Sequence, residues 1–180
     1  MVSLITFARV MNDAMEHLSY YKQLVADLKI TDPANAEQLE EEVRIIIHKL
    51  KFIPIESRPL VELVYPKTEN QPDQRYLEEL LDLAGAQVNP LIHVPEHISI
   101  LIFVEKSPEF LSRLPEIIAK DYQDYQAVKN NQVFVLTKHP FAHLPSDYLI
   151  DSEILAEIIQ SKYFIFGHEG NHWFKFDLQA

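Results

Sequence analysis

Six of the eight histidines in this 180-residue sequence form three pairs whose members are four residues apart. The pairs are His93 with His97, His139 with His143, and His168 with His172. On an α-helix this spacing places two imidazoles on one face, as a pair of metal ligands requires. Each pair encloses a proline or a glycine, so we expect loops at all three places. Loops can also bring two imidazoles to one ion, and solvated loop histidines are the alternative.

Other catalytic groups are scarce in the sequence. It contains no cysteine, which excludes a thiolate nucleophile and a disulfide framework. Its three glycines are too few for a glycine-rich phosphate loop, and the Gly-x-Ser-x-Gly elbow of serine hydrolases does not occur. A metal-dependent enzyme that uses a histidine pair is the catalytic alternative that remains open.

The charge balance argues against two classes of partner. Sixteen lysines and arginines against 27 aspartates and glutamates give a net charge of −11. An acidic surface of this kind repels a nucleic-acid backbone and an anionic membrane, so we expect no nucleic-acid partner. No apolar run approaches the ~20 residues that a membrane span needs.

Hydrophobic periodicity predicts two amphipathic helices in the first part of the chain. The first covers residues 4–28 and the second covers residues 34–52. Between them, Asp32 suits the N-cap of the second helix and Pro33 suits its first position. We assign residues 1–57 to this helical segment. Packing of its helices between two copies of the chain would form a homodimer.

Strands and helices alternate in residues 58–180. Apolar and β-branched runs predict strands, and the amphipathic segments between them predict helices. Strands are expected at 60–65, 98–104 and 133–137, and helices at 74–84, from 108 onward with an interruption at Pro115, and at 151–161. Residues 163–166 and 173–176 are expected to form a terminal hairpin. This order predicts an α/β fold, with a small, mainly parallel sheet and helices on its faces.

The carboxyl ends of parallel strands meet at one edge of a sheet, where open α/β folds bind ligands. Candidate site residues follow the predicted strands at this edge. They are Tyr65, Lys67, Glu105, Lys106, His139 and His143. His93 and His97 precede the second strand and are expected at the opposite edge. An ordinary loop residue is the alternative at each position.

Four segments of the α/β part resemble a known family in their order along the chain. They are residues 58–61, 76–86, 125–136 and 146–159. All four resemble the C-terminal lobe of ABC-importer substrate-binding proteins. The third segment, for example, has the sequence YQAVKNNQVFVL. The resemblance covers roughly residues 58–176. It is to the branch with a helical backbone between two lobes, which carries iron–siderophore, haem, cobalamin or metal ions.

The resemblance implies a non-enzymatic lobe that binds a metal ion or metal chelate and works with an ABC-transporter permease. Iron, haem, cobalamin and a divalent metal are the implied ligands, and ligand contacts are implied on the edge loops. Tyrosine, glutamate and histidine ligate iron, and lysine pairs with the carboxylate of a chelate. We therefore expect ligand contacts at Tyr65, Lys67, Glu105 and Lys106, and metal contacts at His139 and His143.

The sequence also departs from the family. Nothing that resembles an N-terminal lobe precedes the helical segment, although its second helix is a candidate remnant of the backbone helix. Only twelve residues separate Gly85 from Ile98, where the family has a helix with an acidic docking residue. A relict lobe that acts as a protein-interaction module is therefore a further alternative. The family works outside the cytoplasm, whereas the sequence shows no export signal, so the location stays open.

Overall fold

The computed structural model of the chain describes residues 17–66, 71–87 and 94–178. These residues form an α/β fold in which helices cover both faces of a four-stranded sheet. The strands are β1 (Leu60–Val64), β2 (Ile98–Val104), β3 (Val133–Leu136) and β4 (Trp173–Lys175). The α-helices are α1 (Ser19–Thr31), α2 (Pro33–Leu50), α3 (Gln74–Leu83), α4 (Pro108–Asp121), α5 (Gln126–Lys129) and α6 (Tyr148–Ile159). The predicted fold class is confirmed.

The strand order in the sheet is β1-β2-β3-β4. The first three strands are parallel, so that Leu63 of β1 is paired with Ile102 of β2, and Ile102 with Phe134 of β3. β4 is antiparallel to β3. The carboxyl ends of β1, β2 and β3 therefore lie at one edge of the sheet, as the element order predicted. We call it the carboxyl edge.

Alternate residues of β2 face two separate hydrophobic cores. Ile100 and Ile102 pack in the first core with residues of α1, α2, α3 and α6. Leu101 and Phe103 pack in the second core with residues of α4 and α5. A strand that is covered on both faces needs apolar side chains at every position. This double burial accounts for the apolar residues at every position of β2 except Ser99, near its start, which is only partly buried.

Helices α1 and α2 pack on the α/β part through the first core. Tyr21 and Val25 of α1, together with Val43 and Ile46 of α2, are buried there beside residues of α3 and α6. Residues 4–16 of the first predicted helix lie outside the described residues. The division of the chain at residue 57 into two domains stays a prediction. No helix in the described parts of the chain is both long and apolar enough to cross a membrane.

Both N-terminal helices begin at side-chain caps. The Asp32 carboxylate accepts the backbone N–H of Asn35 at 3.3 Å and Pro33 follows it, so the predicted cap of α2 is confirmed. The cap of α1 comes from outside the helix, because Glu79 of α3 accepts the N–H groups of Tyr20 and Tyr21 at 2.9 and 2.8 Å. The first N–H groups of a helix have no partner within it, so Glu79 ties α1 to α3.

The predicted terminal hairpin is wrong in one arm. Residues 173–175 form β4, but residues 163–166 are not a strand, and β4 pairs with β3 instead. The carboxylate of Glu157 accepts the backbone N–H groups of Phe166, Gly167 and His168. These hydrogen bonds satisfy the donors of the bend, so it needs no partner strand.

Helices α4 and α6 depart from the predictions in ways that have a physical reason. α4 runs through Pro115 without a break. This proline is exposed, so water can solvate the carbonyl that loses its helical partner. α6 begins at Tyr148, three residues before its predicted start, because a 3₁₀ turn at Pro145–Asp147 leads directly into it. As a result Asp151 lies in the first turn of α6, fully buried.

Candidate functional site

A cavity of about 360 Å³ lies at the carboxyl edge. Loops that follow three strands line it: Tyr65 after β1, residues 104–108 after β2, and residues 136–139 with Phe141 and His143 after β3. Five of the six residues singled out in the sequence therefore surround one cavity. They are Tyr65, Glu105, Lys106, His139 and His143. Lys67 lies outside the described residues, and ligand binding by the other five stays a prediction.

Tyr65 follows β1 and lines the cavity. The hydroxyl oxygen is buried and has no hydrogen-bond partner among the described residues. Burial, and after it the nearby charge of Asp151, raises the pKa of the phenol. Tyr65 is therefore a neutral hydrogen-bond donor at every physiological pH, and its environment opposes the phenolate form that ligates iron.

Glu105 and Lys106 mark the point where the chain leaves β2 and enters α4. The Oε1 atom of Glu105 accepts the backbone N–H groups of Lys106 and Ser107 at 2.9 and 3.0 Å. This carboxylate therefore fixes the turn before α4. The side chain of Lys106 is exposed at the cavity rim.

His143 is held by the backbone of its own loop. Its Nδ1 atom lies 2.6 Å from the carbonyl oxygen of Phe141. A carbonyl oxygen only accepts hydrogen bonds, so Nδ1 must carry the hydrogen. In the neutral ring Nε2 then has a free lone pair. This is the tautomer in which an imidazole ligates a metal through Nε2, with its other nitrogen oriented by a carbonyl.

Lys138, which the sequence did not single out, lies beneath this loop. Three oxygens surround its ammonium nitrogen: Asp147 Oδ2 at 2.7 Å, Asp151 Oδ1 at 2.9 Å and the Pro140 carbonyl at 2.9 Å. Burial would lower the pKa of Lys138, but the hydrogen bonds to the two carboxylates outweigh it and raise that pKa. Since the ammonium has three donors, Lys138 has none left for a ligand. No local pattern indicates this residue, because its partners lie up to 13 positions away.

Asp151 completes the buried cluster. Its Oδ2 atom accepts the backbone N–H of Ala142 at 3.0 Å, so Asp151 contacts both the loop and Lys138. Burial raises the pKa of this carboxyl from 3.8 to about 6, although Lys138 and the N–H of Ala142 oppose the shift. The sequence pattern predicts Asp151 at the start of a helix and indicates no functional role for it.

The other histidine pairs lie outside the cavity. His97 precedes β2 at the opposite edge, as expected, and His93 lies outside the described residues. His168 and His172 have ring centroids 5.6 Å apart, and Nε2 of His168 lies 2.8 Å from Oε2 of Glu153. Burial, His168 and then Lys138 lower the pKa of His172.

This third pair spells His-Glu-Gly-Asn-His, the residue order of a zinc-protease motif. The motif requires a helix, and here the five residues form a turn that leads into β4. Within residues 17–66, 71–87 and 94–178, no group of three or more histidine, aspartate or glutamate side chains is arranged to hold a metal ion. In that part of the chain, His139 and His143 therefore have no third histidine, aspartate or glutamate side chain placed to complete a metal site with them.

No protein-family model and no curated protein matches the chain. Two solved structures are similar to it. One is an ABC transporter solute binding protein from Sulfurospirillum deleyianum DSM 6946, with 14% sequence identity and a TM-score of 0.48 over 82% of this chain and 52% of that one. The other is the TroA-like periplasmic binding protein FepB from Veillonella parvula, with 16% identity and a TM-score of 0.41 over 84% and 54%. The chain spans about half the length of each.

Proposed function

We propose that this chain is a ligand-binding lobe of the ABC-importer type and that it binds its ligand without converting it. One observation carries the proposal: residues singled out after three separate strands line one cavity. That cavity lies at the edge where open α/β sheets bind ligands. The sequence resemblance over residues 58–176 supports the same edge.

The donors around the cavity favour a metal carried by an organic chelate. His143 offers the lone pair of Nε2, and His139 offers a second imidazole; both suit iron, zinc or cobalt. Two imidazoles leave most of the coordination sphere of a metal ion unfilled. A chelate fills it with its own oxygen or nitrogen atoms. Haem, cobalamin and an iron–siderophore complex are ligands of this kind.

Tyr65 and Lys106 suit the organic part of such a ligand. The phenol of Tyr65 donates to an acceptor oxygen, and the ammonium of Lys106 pairs with a carboxylate. Leu136 and Phe141 add apolar surface to the same wall. Apolar walls with a few fixed polar groups are typical of cofactor sites. Lys67 belongs to the proposal through its sequence position beside Tyr65.

The proposal includes a second protein surface, which covers the part of the ligand that the cavity leaves exposed. The cavity is at the small end of the ~300–1,000 Å³ range of ligand pockets, so a haem-sized ligand extends beyond it. We expect a second lobe or a second copy of the chain to cover the exposed part. An ABC-transporter permease is the expected partner of the closed form.

The test is a titration of the purified, untagged chain with Zn²⁺, ferric iron, haemin and cobalamin, followed by calorimetry and by absorption where the probe absorbs. A His139→Ala/His143→Ala variant should bind the preferred probe at least about tenfold more weakly. A His17→Ala/His97→Ala variant is the matched control, because it also loses two histidines but leaves the cavity intact. If no probe binds, or if both variants bind like the unaltered chain, the proposal is wrong.

A further inference from the structure

The loop that carries His139 and His143 has a costly backbone conformation. Ala142 has φ = +57°, in the left-handed region that residues with a side chain rarely adopt. Ala142 is also buried, at 1% exposure. Such a conformation persists only where its surroundings impose it. The contacts that impose it here come from Lys138 and Asp151.

Two buried groups hold the loop at neighbouring backbone positions. The ammonium of Lys138 donates to the carbonyl of Pro140, and Asp151 accepts the N–H of Ala142. Phe141 lies between these two points, and its carbonyl accepts from Nδ1 of His143. The direction of this carbonyl, and with it the tautomer of His143, therefore depends on Lys138 and Asp151. Asp151 does not line the cavity, and the ammonium of Lys138 already donates to three protein oxygens.

We infer that Lys138 and Asp151 are positioning residues, which fix the loop so that His143 presents the lone pair of Nε2 in the absence of ligand. The expected effect on ligand affinity rests on the proposed function. The expected effect on the loop and on the tautomer of His143 does not depend on it. A buried ion pair contributes little stability relative to apolar residues of the same size. Control of loop geometry accounts for a buried pair at this place.

The decisive measurement is the tautomer of His143 in the ligand-free chain, from the ¹⁵N and ¹H shifts of its imidazole above pH 7.5. In the unaltered chain we expect a single Nδ1–H tautomer. In Asp151→Asn and in Lys138→Met we expect a mixture, as in a free imidazole. Lys138→Arg keeps the cation and should restore a predominant Nδ1–H form.

Asp147→Asn is the matched control. It also removes a carboxylate partner of Lys138, but the N–H of Ala142 donates to Asp151 and the carbonyl of Pro140 accepts from Lys138, so both backbone contacts of the loop are kept. We expect His143 to keep the Nδ1–H tautomer in this variant. His97, at the opposite edge, serves as an internal reference whose signals should not move in any variant.

Binding of Zn²⁺ and haemin then separates the two proposals. We expect Asp151→Asn to weaken the binding of whichever probe the unaltered chain accepts by about tenfold. If the tautomer shifts but the unaltered chain binds neither probe, the positioning inference stands and the binding proposal loses support. If His143 keeps one tautomer in both Asp151→Asn and Lys138→Met, the inference is wrong. It is also wrong if neither variant folds, because the pair then serves the fold itself.

Discussion

The indole of Trp173 donates a hydrogen bond of 2.8 Å to the carboxylate of Glu157, although the two residues are 16 positions apart in the sequence. The same carboxylate accepts the N–H groups of three consecutive residues, 166–168. Glu157 lies on α6 and Trp173 begins β4. One buried side chain therefore joins the last helix, the bend after it and the last strand.

Replacing Glu157 by alanine should destabilise the fold strongly. The change leaves four N–H donors without their acceptor, and we expect a loss of about 3 kcal/mol in the free energy of unfolding. Urea denaturation followed by circular dichroism measures it. Glu169→Ala, an exposed glutamate in the neighbouring turn, should change stability by less than about 0.5 kcal/mol. Equal effects of the two changes would contradict the role given to Glu157.

Glu157 also predicts a pH dependence. Burial alone would raise its pKa, but the hydrogen bonds from Trp173 and the bend outweigh burial and lower it. A carboxyl with a lowered folded-state pKa stabilises the fold above its unfolded pKa and loses this contribution as the pH falls through the folded value. Glu157→Gln should remove that part of the acid sensitivity below pH ~4.5.

Asp151 should act on stability in the opposite direction. Its pKa is raised from 3.8 to about 6, so the folded chain retains a proton that the unfolded chain has lost. Between these two values, ionisation of Asp151 lowers the free energy of unfolding increasingly as the pH rises. Above about pH 6 this loss reaches its full size. Denaturation of the unaltered chain and of Asp151→Asn at about pH 4.5, 5.5 and 6.5 tests this pH dependence. The advantage of the unaltered chain should shrink along this series, and a constant difference would contradict the prediction.

Tyr65→Phe should separate binding from stability. The change removes a hydroxyl that has no partner among the described residues, so unfolding free energy should fall by less than about 0.5 kcal/mol or rise. Binding of haemin or cobalamin should weaken about tenfold if a ligand oxygen accepts from this hydroxyl. Tyr163→Phe, which changes an exposed tyrosine that does not line the cavity, is the control. Unchanged affinity in Tyr65→Phe would remove this contact from the proposed site.

Two glycines with similar backbone angles allow a paired test of packing. Gly85 has φ = +83° and Gly167 has φ = +91°. A Cβ on Gly85 would lie 2.5 Å from Cδ2 of Leu50, whereas a Cβ on Gly167 would meet nothing within 4 Å. Alanine at Gly167 should cost about 1 kcal/mol for the backbone alone. Alanine at Gly85 should cost about 1–3 kcal/mol more, because the core is overpacked there. Equal losses in thermal denaturation would show that Leu50 moves aside freely.

The sequence predicted the layout of the fold because the relevant signals are local. The apolar run of β2, the Asp32–Pro33 cap and the alternation of strands and helices each act over a few residues. The mainly parallel sheet then followed from the alternation of strands and helices. Because Tyr65 and His139 each follow a parallel strand, their common edge is also predictable from the sequence.

The missed features depend on contacts between distant residues. The wrong hairpin arm follows from Glu157, whose hydrogen bonds reach 9 to 16 positions along the chain. The cluster of Lys138 and Asp151 likewise forms only when α6 packs beneath the loop after β3. Side chains that satisfy distant backbone groups leave no periodic pattern, so hydrophobic spacing does not detect them.

The carbonyl of His172 accepts the N–H groups of both Thr137 and Lys138, at 2.7 and 3.2 Å. The loop that lines the cavity is thus attached to the residue that directly precedes β4. During synthesis on the ribosome, every strand that contributes to the cavity is made before His172 emerges. Until then the two N–H groups at the root of the loop have no partner here. The finished cavity therefore needs the segment that carries His172, and a chain truncated before this residue should not hold the loop in its place.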